Sequence, residues 1–321
     1  MKLIVERHRP TNWNTRQEQI VERYCELLEN EFKYLRKALS DIETRDLALI
    51  AWGFYNSIGR ASYLKTQNQL YSTLVYYNQL QYARFVYGMN DGKKIRFQIA
   101  DREIETVGKF KNSYIGTYFI RNGIMAASIL RDKEKLAFYA DIPLDFPAQT
   151  GQEDLIYETM LMFYQVLIKG NGTENEAIAS QHHITKQLDW DYYIKYVVQE
   201  GFNDEYVWRQ LHKYRSQEAI YQFLPVLEIY HHILNKNQVG FEDAVYEALL
   251  KWKEYYLMRY IDENQEDIDH STRPEGFLAL PIIAACAYAY DRGMKLETVE
   301  SDYLCKWMIE GNFDGFELLV E

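Results

Sequence analysis

Helix breakers are scarce in this chain: six prolines and 16 glycines are spread over 321 residues. Proline removes a backbone donor and clashes with the preceding turn, and glycine weakens a helix by about 1 kcal/mol relative to alanine. A chain with so few of either is expected to form long uninterrupted elements. Leu, Glu, Lys, Gln and Arg fill those elements, which makes them helices. From a cap at Asn14 or Thr15, the residues Ile20, Tyr24, Leu27, Leu28, Phe32, Leu35 and Leu39 recur mostly in steps of three and four and so share one face.

The same reading places helices over 44–58, 61–86, 113–139, 152–169, 189–200 and 204–215. Others are expected over 216–236, started or kinked by Pro225, and over 241–260 and 274–290, with a short last helix capped by Ser301 and ending near 309. One stretch breaks the rhythm. Asn90-Asp91-Gly92 is a turn signal, and Ile95, Phe97 and Ile99 alternate with Lys94, Arg96 and Gln98 at strand period. The expected fold is therefore all-α, an irregular multi-helix bundle of two layers or lobes, with at most one short hairpin near 86–99. No fixed repeat period is present. Pro143, Pro147 and Gly151 mark a boundary between an N-terminal helical half, 1–140, and a C-terminal half, 152–321; one continuous domain over 1–321 is the alternative.

Charge narrows the partners. Thirty-six basic and 47 acidic residues give a formal net charge of −11. A polyanion such as nucleic acid, or an anionic membrane surface, is disfavoured by that balance, whereas a basic protein would be steered toward it. Twenty-eight tyrosines suit half-buried helix faces and wet interfaces. Cys25, Cys286 and Cys305 are odd in number and form no C-x-x-C pair, which fits a reducing compartment. Cys286, among alanines, reads as a buried thiol. The apolar run Leu3-Ile4-Val5 is too short for a signal peptide, and the longest apolar stretch falls short of a bilayer span, so the expected location is the cytoplasm.

Catalytic patterns are weak. Among the seven histidines there is no H-E-x-x-H. Glu228 and His231 form one Glu-x-x-His, and its nearest second copy is Asp267 with His270, so a paired-metal bundle site is incomplete and His231 reads as solvated. The run Asp262-Glu263-Asn264-Gln265-Glu266 has the spacing with which helical terpene synthases hold magnesium. The second motif such an enzyme needs has its best candidate at Asn203-Asp204, where Val207 stands in place of a hydroxyl. An acidic helix end running into a loop is the simpler reading. No P-loop, nucleophile elbow or Cys/His pair is present, and no cofactor is implied.

The C-terminal third is more informative. Phe241-Glu242-Asp243-Ala244 leads to Leu250-Lys251-Trp252-Lys253-Glu254-Tyr255-Tyr256. Then come Thr272-Arg273-Pro274-Glu275-Gly276-Phe277, Pro281, Ala284 to Tyr290, Asp291-Arg292-Gly293, and Ser301-Asp302-Tyr303-Leu304 with Trp307. Over about residues 240–312 this resembles the immunity protein 49 family, helical proteins encoded beside bacterial polymorphic toxins. It departs from the family at Cys305, where a proline is usual. A second group, the helical immunity partners of polymorphic nuclease toxins, has a similar layout.

The resemblance implies a non-enzymatic protein that binds and neutralises a cognate toxin in the cytoplasm. Trp252, Arg273, Pro274, Glu275, Gly276, Pro281, Gly293 and Tyr303 are then structural positions. Pro274 suits a first-turn site and Gly293 a site just past a helix end. Many such toxins are nucleases with basic clefts, so Asp262, Glu263, Glu266, Asp267 and Asp269 are expected to form a patch that draws in a basic toxin. A solvated acidic loop is the alternative for that cluster. For the whole chain, the alternatives are a metal-dependent all-α enzyme and a general helical adaptor.

Overall fold

In the computed structural model the described residues are 2–39, 47–64, 66–110, 117–143, 164–165, 167–168, 218–261 and 265–319, and elements are numbered among these. Helix α1, Trp13–Leu39, breaks at Arg16 (φ −142°, ψ 28°), so its regular turns begin one residue later. Tyr24, Leu28, Phe32, Leu35 and Leu39 are buried, as their spacing predicts. That stripe packs on α2, Leu47–Leu64, and α2 packs on α3, Gln67–Met89. The helix expected over 61–86 is thus split. Thr66 turns both its amide and its hydroxyl back to the Ala61 carbonyl, each at 3.3 Å, and ends α2 there.

The predicted strand is β2, Lys94–Ile99, paired antiparallel with β3, Arg102–Val107. The hairpin turn lies at Ala100-Asp101, with Ala100 at φ 58°. Asn90-Asp91-Gly92 is a turn as read, with the Lys93 amide donating to the Asn90 carbonyl at 3.0 Å and Gly92 at φ 71°, and it leads the chain from α3 into β2. Phe97, Ile99 and Ile104 are buried. The run expected over 113–139 is two helices, α4, Thr117–Leu130, and α5, Lys133–Ala140. Arg131 stands between them at φ 56°, and the Asp132 side chain caps α5 by accepting from the Lys135 amide at 3.2 Å.

Farther along, a π-helical turn, Ala219–Phe223, runs into α6, Leu224–Leu234, with Pro225 in its first turn. Pro225 thus starts this helix, one of the two roles expected of it, and a proline without an N–H fits the π-helical turn that precedes it. Asn237 caps α7, Gln238–Tyr256, through the Gly240 amide at 3.1 Å. The helix expected over 241–260 therefore stops short. Its last residues form β4, Arg259–Ile261, paired antiparallel with β5, Asp267–Asp269.

Two 3₁₀ turns follow, His270–Thr272 and Pro274–Phe277, and then α8, Leu280–Tyr290. Pro274 opens a 3₁₀ turn, while Pro281 holds the first-turn position of α8. Gly293, at φ 82°, closes α8 as expected. Its amide reaches the Tyr290 carbonyl at 2.9 Å and the Met294 amide reaches Ala289 at 3.1 Å, which is a Schellman cap.

The last strand, β6, Val299–Ser301, pairs in parallel with β1, Leu3–Val5, and α9, Lys306–Glu310, ends the ordered elements. Ser301 does not cap α9. Its hydroxyl donates to the Val5 carbonyl at 2.7 Å. Two short strand pairs thus join the single hairpin expected, and the fold is an irregular, mostly α multi-helix assembly.

One buried cluster runs from Leu28, Phe54 and Leu80 through Ile124 to Ile229, Leu249 and Ile283. Arg131 pins part of it. Its guanidinium donates to the carbonyls of Ile129 and Met308 at 2.7 Å and of Ile309 at 2.6 Å, and pairs with Asp291 at 3.0 Å. One cation thereby satisfies carbonyls at the ends of α4 and α9. The helices expected over 152–169, 189–200 and 204–215 lie wholly or largely outside the described residues, as do residues 144–151 of the expected boundary. No helix among the described residues is long and apolar enough to cross a membrane.

Candidate partner-binding surface

Several of the positions that carry the family resemblance point inward, toward one residue that sequence reading missed. His8 follows β1 and is buried among three rings: Tyr256 (centroids 5.6 Å apart, nearly parallel), Phe277 (5.1 Å) and Tyr303 (5.8 Å). The His8 amide donates to the Tyr303 hydroxyl at 2.8 Å, and that hydroxyl lies 2.8 Å from Nδ1. Burial, with Arg7 close by, lowers the His8 pKa to about 4, so the ring is neutral and shares one hydrogen bond with the tyrosine through Nδ1.

Next to this cage, Trp252 Nε1 donates to the Gly276 carbonyl at 2.9 Å. A side chain at Gly276 would strike the Tyr256 ring, and one at Gly59 on α2 would strike the Pro274 carbonyl. Both glycines are required by close approach. Ser62, one turn on from Gly59, donates to the Gly59 carbonyl at 2.8 Å. The turn Pro274–Phe277 is thus clamped between α2 and α7, with Phe277 also packed on Tyr63 at 4.7 Å and Tyr24 at 5.8 Å.

Charge is half-buried beside that turn. Desolvation raises the pKa of the Glu275 carboxyl and lowers that of the Arg60 guanidinium, and Glu31 is raised for the same reason. Mutual attraction of Arg60 with Glu31 and Glu275 opposes each shift. These groups place partly desolvated charge beside the turn at an electrostatic cost.

The acidic cluster divides. Asp262 and Glu263 lie outside the described residues, and Glu266 is exposed. Asp267 is paired across the β4–β5 hairpin with Arg259, whose Nε donates to Oδ1 at 2.8 Å and whose Nη2 reaches the other oxygen; Arg259 thereby holds the Asp267 carboxyl below its usual range. Asp269 accepts from the Ser271 amide at 2.9 Å, the Ser271 hydroxyl at 2.7 Å and the Thr11 hydroxyl at 2.6 Å. Burial pushes its pKa up, but these bonds outweigh it and the net shift is downward. Two of the five acids therefore have structural duties, and Asp267 stands on a strand, not on the helix end that a magnesium motif requires. Glu228 pairs with His232 at 3.1 Å instead of His231. His270 is buried with Nδ1 3.2 Å from the Tyr255 carbonyl. No group of three or more His, Cys, Asp or Glu among the described residues is placed to hold a metal ion.

Outward, α7 shows an apolar line. Val239 (72% exposed), Tyr246 and Leu250, with Leu257 (54% exposed) just past the helix end, recur at spacings of seven, four and seven, and Ile261 (60% exposed) follows on β4. Asp243, Glu247 and Glu254 lie along the same helix. Solvent-facing Val, Leu and Ile beside acids were readable in the sequence only once the inner face of α7 was known.

Among the described residues, fold and surface define a mostly helical protein that buries His8 and His270 among aromatic rings and shows acids and apolar side chains outside. Residues 209–308 match the profile of a family described as immunity protein 49. The likeness read from the sequence over 240–312 is supported by that match. No curated protein and no solved structure matches the chain.

Proposed function

We propose that the chain is an immunity protein that binds a cognate toxin in the cytoplasm of the producing cell and neutralises it without turnover of its own. The observation that carries this reading is the family match over 209–308, which takes in α6 to α8, the hairpin between them and the first residues of α9. The exposed line on α7 and the acid Glu266 belong to the same segment, and a basic toxin, such as a nuclease with a phosphate-binding cleft, complements a chain of net charge −11.

Apolar anchors flanked by acids would give contact area at the centre and electrostatic steering beside it. The test is co-expression with the toxin encoded by the adjacent gene in a host that the toxin kills. Restored growth is expected. Continued killing with both chains soluble would overturn the proposal.

A further inference from the structure

A second surface lies on the other side of His8. A cleft of about 840 Å³ opens between the segment after β1, the junction of α2 and α3, and the segment leading into α9. On a chain of net charge −11, it is lined by Arg7, Arg9 and Lys306. Arg7 is largely withdrawn from water. It donates to the Asp302 carbonyl and lies 5.7 Å from the Tyr63 ring centroid, but its Nε is buried without a hydrogen-bond partner. Two exposed acids, Glu6 and Asp302, also line the cleft, yet neither Arg7 nor Arg9 forms an ion pair among the described residues.

A desolvated guanidinium without a carboxylate is costly. A chain with 47 acidic residues had ample means to supply one. The first turn of α3 adds to the same field: Gln67 lines the cleft, and Thr66 makes no side-chain cap to the helix amides. Tyr63 and Trp307 supply partly exposed ring surface. The volume far exceeds that of a single small anion.

We propose that this cleft receives a short extended segment of a partner protein that carries a carboxylate, which the Arg7 and Arg9 guanidiniums bind while Tyr63 and Trp307 cover its apolar neighbours. A guanidinium fork matches a carboxylate in two parallel hydrogen bonds, and the aromatic walls favour a peptide over a bare ion. The inference deepens the reading of a protein partner and rests on it, but it places an acid-seeking site on a molecule whose overall charge seeks bases.

The test is selection of a random 12-residue peptide display library on the full chain at low salt, followed by calorimetry of the best synthetic peptide. Selected peptides are expected to carry Asp or Glu beside Phe, Tyr or Trp. Their affinity is expected to fall at least tenfold with Arg9→Glu or with Lys306→Glu, both exposed positions whose variants should keep the parent melting temperature. Arg7→Gln, checked for folding in the same way, is expected to fall further. Failure to select any acidic peptide, or affinities unmoved by Arg9→Glu, would overturn the proposal. So would calorimetric binding of orthophosphate or AMP stronger than that of every selected peptide, which would make the cleft a small-phosphate site. None of these results depends on the toxin, so failure of growth rescue is read separately.

Discussion

The Tyr303 hydroxyl stands 2.8 Å from both the backbone nitrogen and the Nδ1 of His8, a residue 295 positions away. With the β1–β6 pair and the bond from Thr11 to Asp269, it makes the segment from Leu3 to Thr11 an integral part of the C-terminal body. Tyr303→Phe removes one hydroxyl and leaves a buried amide and a ring nitrogen without partners, a loss of about 2–3 kcal/mol. Urea unfolding should show it, with an unchanged denaturant slope.

Acid should weaken the fold through two histidines. His8 and His270 both have pKa values lowered to about 4 by burial, with Arg7 and Lys253 adding to the effect at His8, Arg273 adding at His270, and Asp269 opposing at both. A depressed folded pKa gives stability that is present above the unfolded value of 6.5 and is lost as pH falls toward 4. The loss is about 3 kcal/mol at most for each, at 1.36 kcal/mol per unit. Glu275 and Glu31 work in the opposite sense. Their raised values favour the fold below 4.5, and that contribution is lost as pH rises through the folded values. Thermal unfolding across pH 4 to 7.5 should therefore steepen on the acid side with Glu275→Gln, which should also raise stability near neutrality.

Arg131→Met should be among the most damaging surface-adjacent changes. It strips a donor from the carbonyls of Ile129, Met308 and Ile309 and leaves Asp291 without its ion partner. A loss of about 3 kcal/mol is expected, measured by denaturant titration, with Arg131→Lys recovering only part because an ammonium cannot reproduce the planar fork.

Long stretches of this architecture could be read before any coordinates. The buried stripe of α1, the helix start at Pro225 and the αL glycine at position 293 follow from spacing and local chemistry alone. Other features could not. The partners β1 and β6 are three residues each and nearly 300 apart, so neither has a periodic signature. Arg131 and Ala100 adopt positive φ without being glycine, which hid one helix break and one turn. His8 looked like part of a charged N-terminal run because its three covering rings come from residues 256, 277 and 303. The acidic cluster could be seen, but not the division of labour within it, because Arg259 and Thr11 claim Asp267 and Asp269 only in three dimensions.

That division separates two effects of charge reversal. Lysines at Asp262, Glu263 and Glu266 should slow association with a basic toxin at low salt if this patch steers it, with little change in stability. Lysine at Asp267 or Asp269 should also lower the melting temperature, since each breaks a bond of the hairpin or of the Thr11 attachment. An association rate unmoved by the first three substitutions would locate the encounter surface elsewhere.

The central claim is that the folded chain captures a toxin and holds it inactive. Its most direct test is the affinity and stoichiometry of the purified chain for the purified toxin encoded by the adjacent gene, followed by calorimetry alongside the toxin's activity. A one-site complex of nanomolar or tighter dissociation constant, with activity lost in step with occupancy, is the result expected. No complex at micromolar concentrations of two folded proteins, or a complex that leaves the toxin fully active, would contradict it.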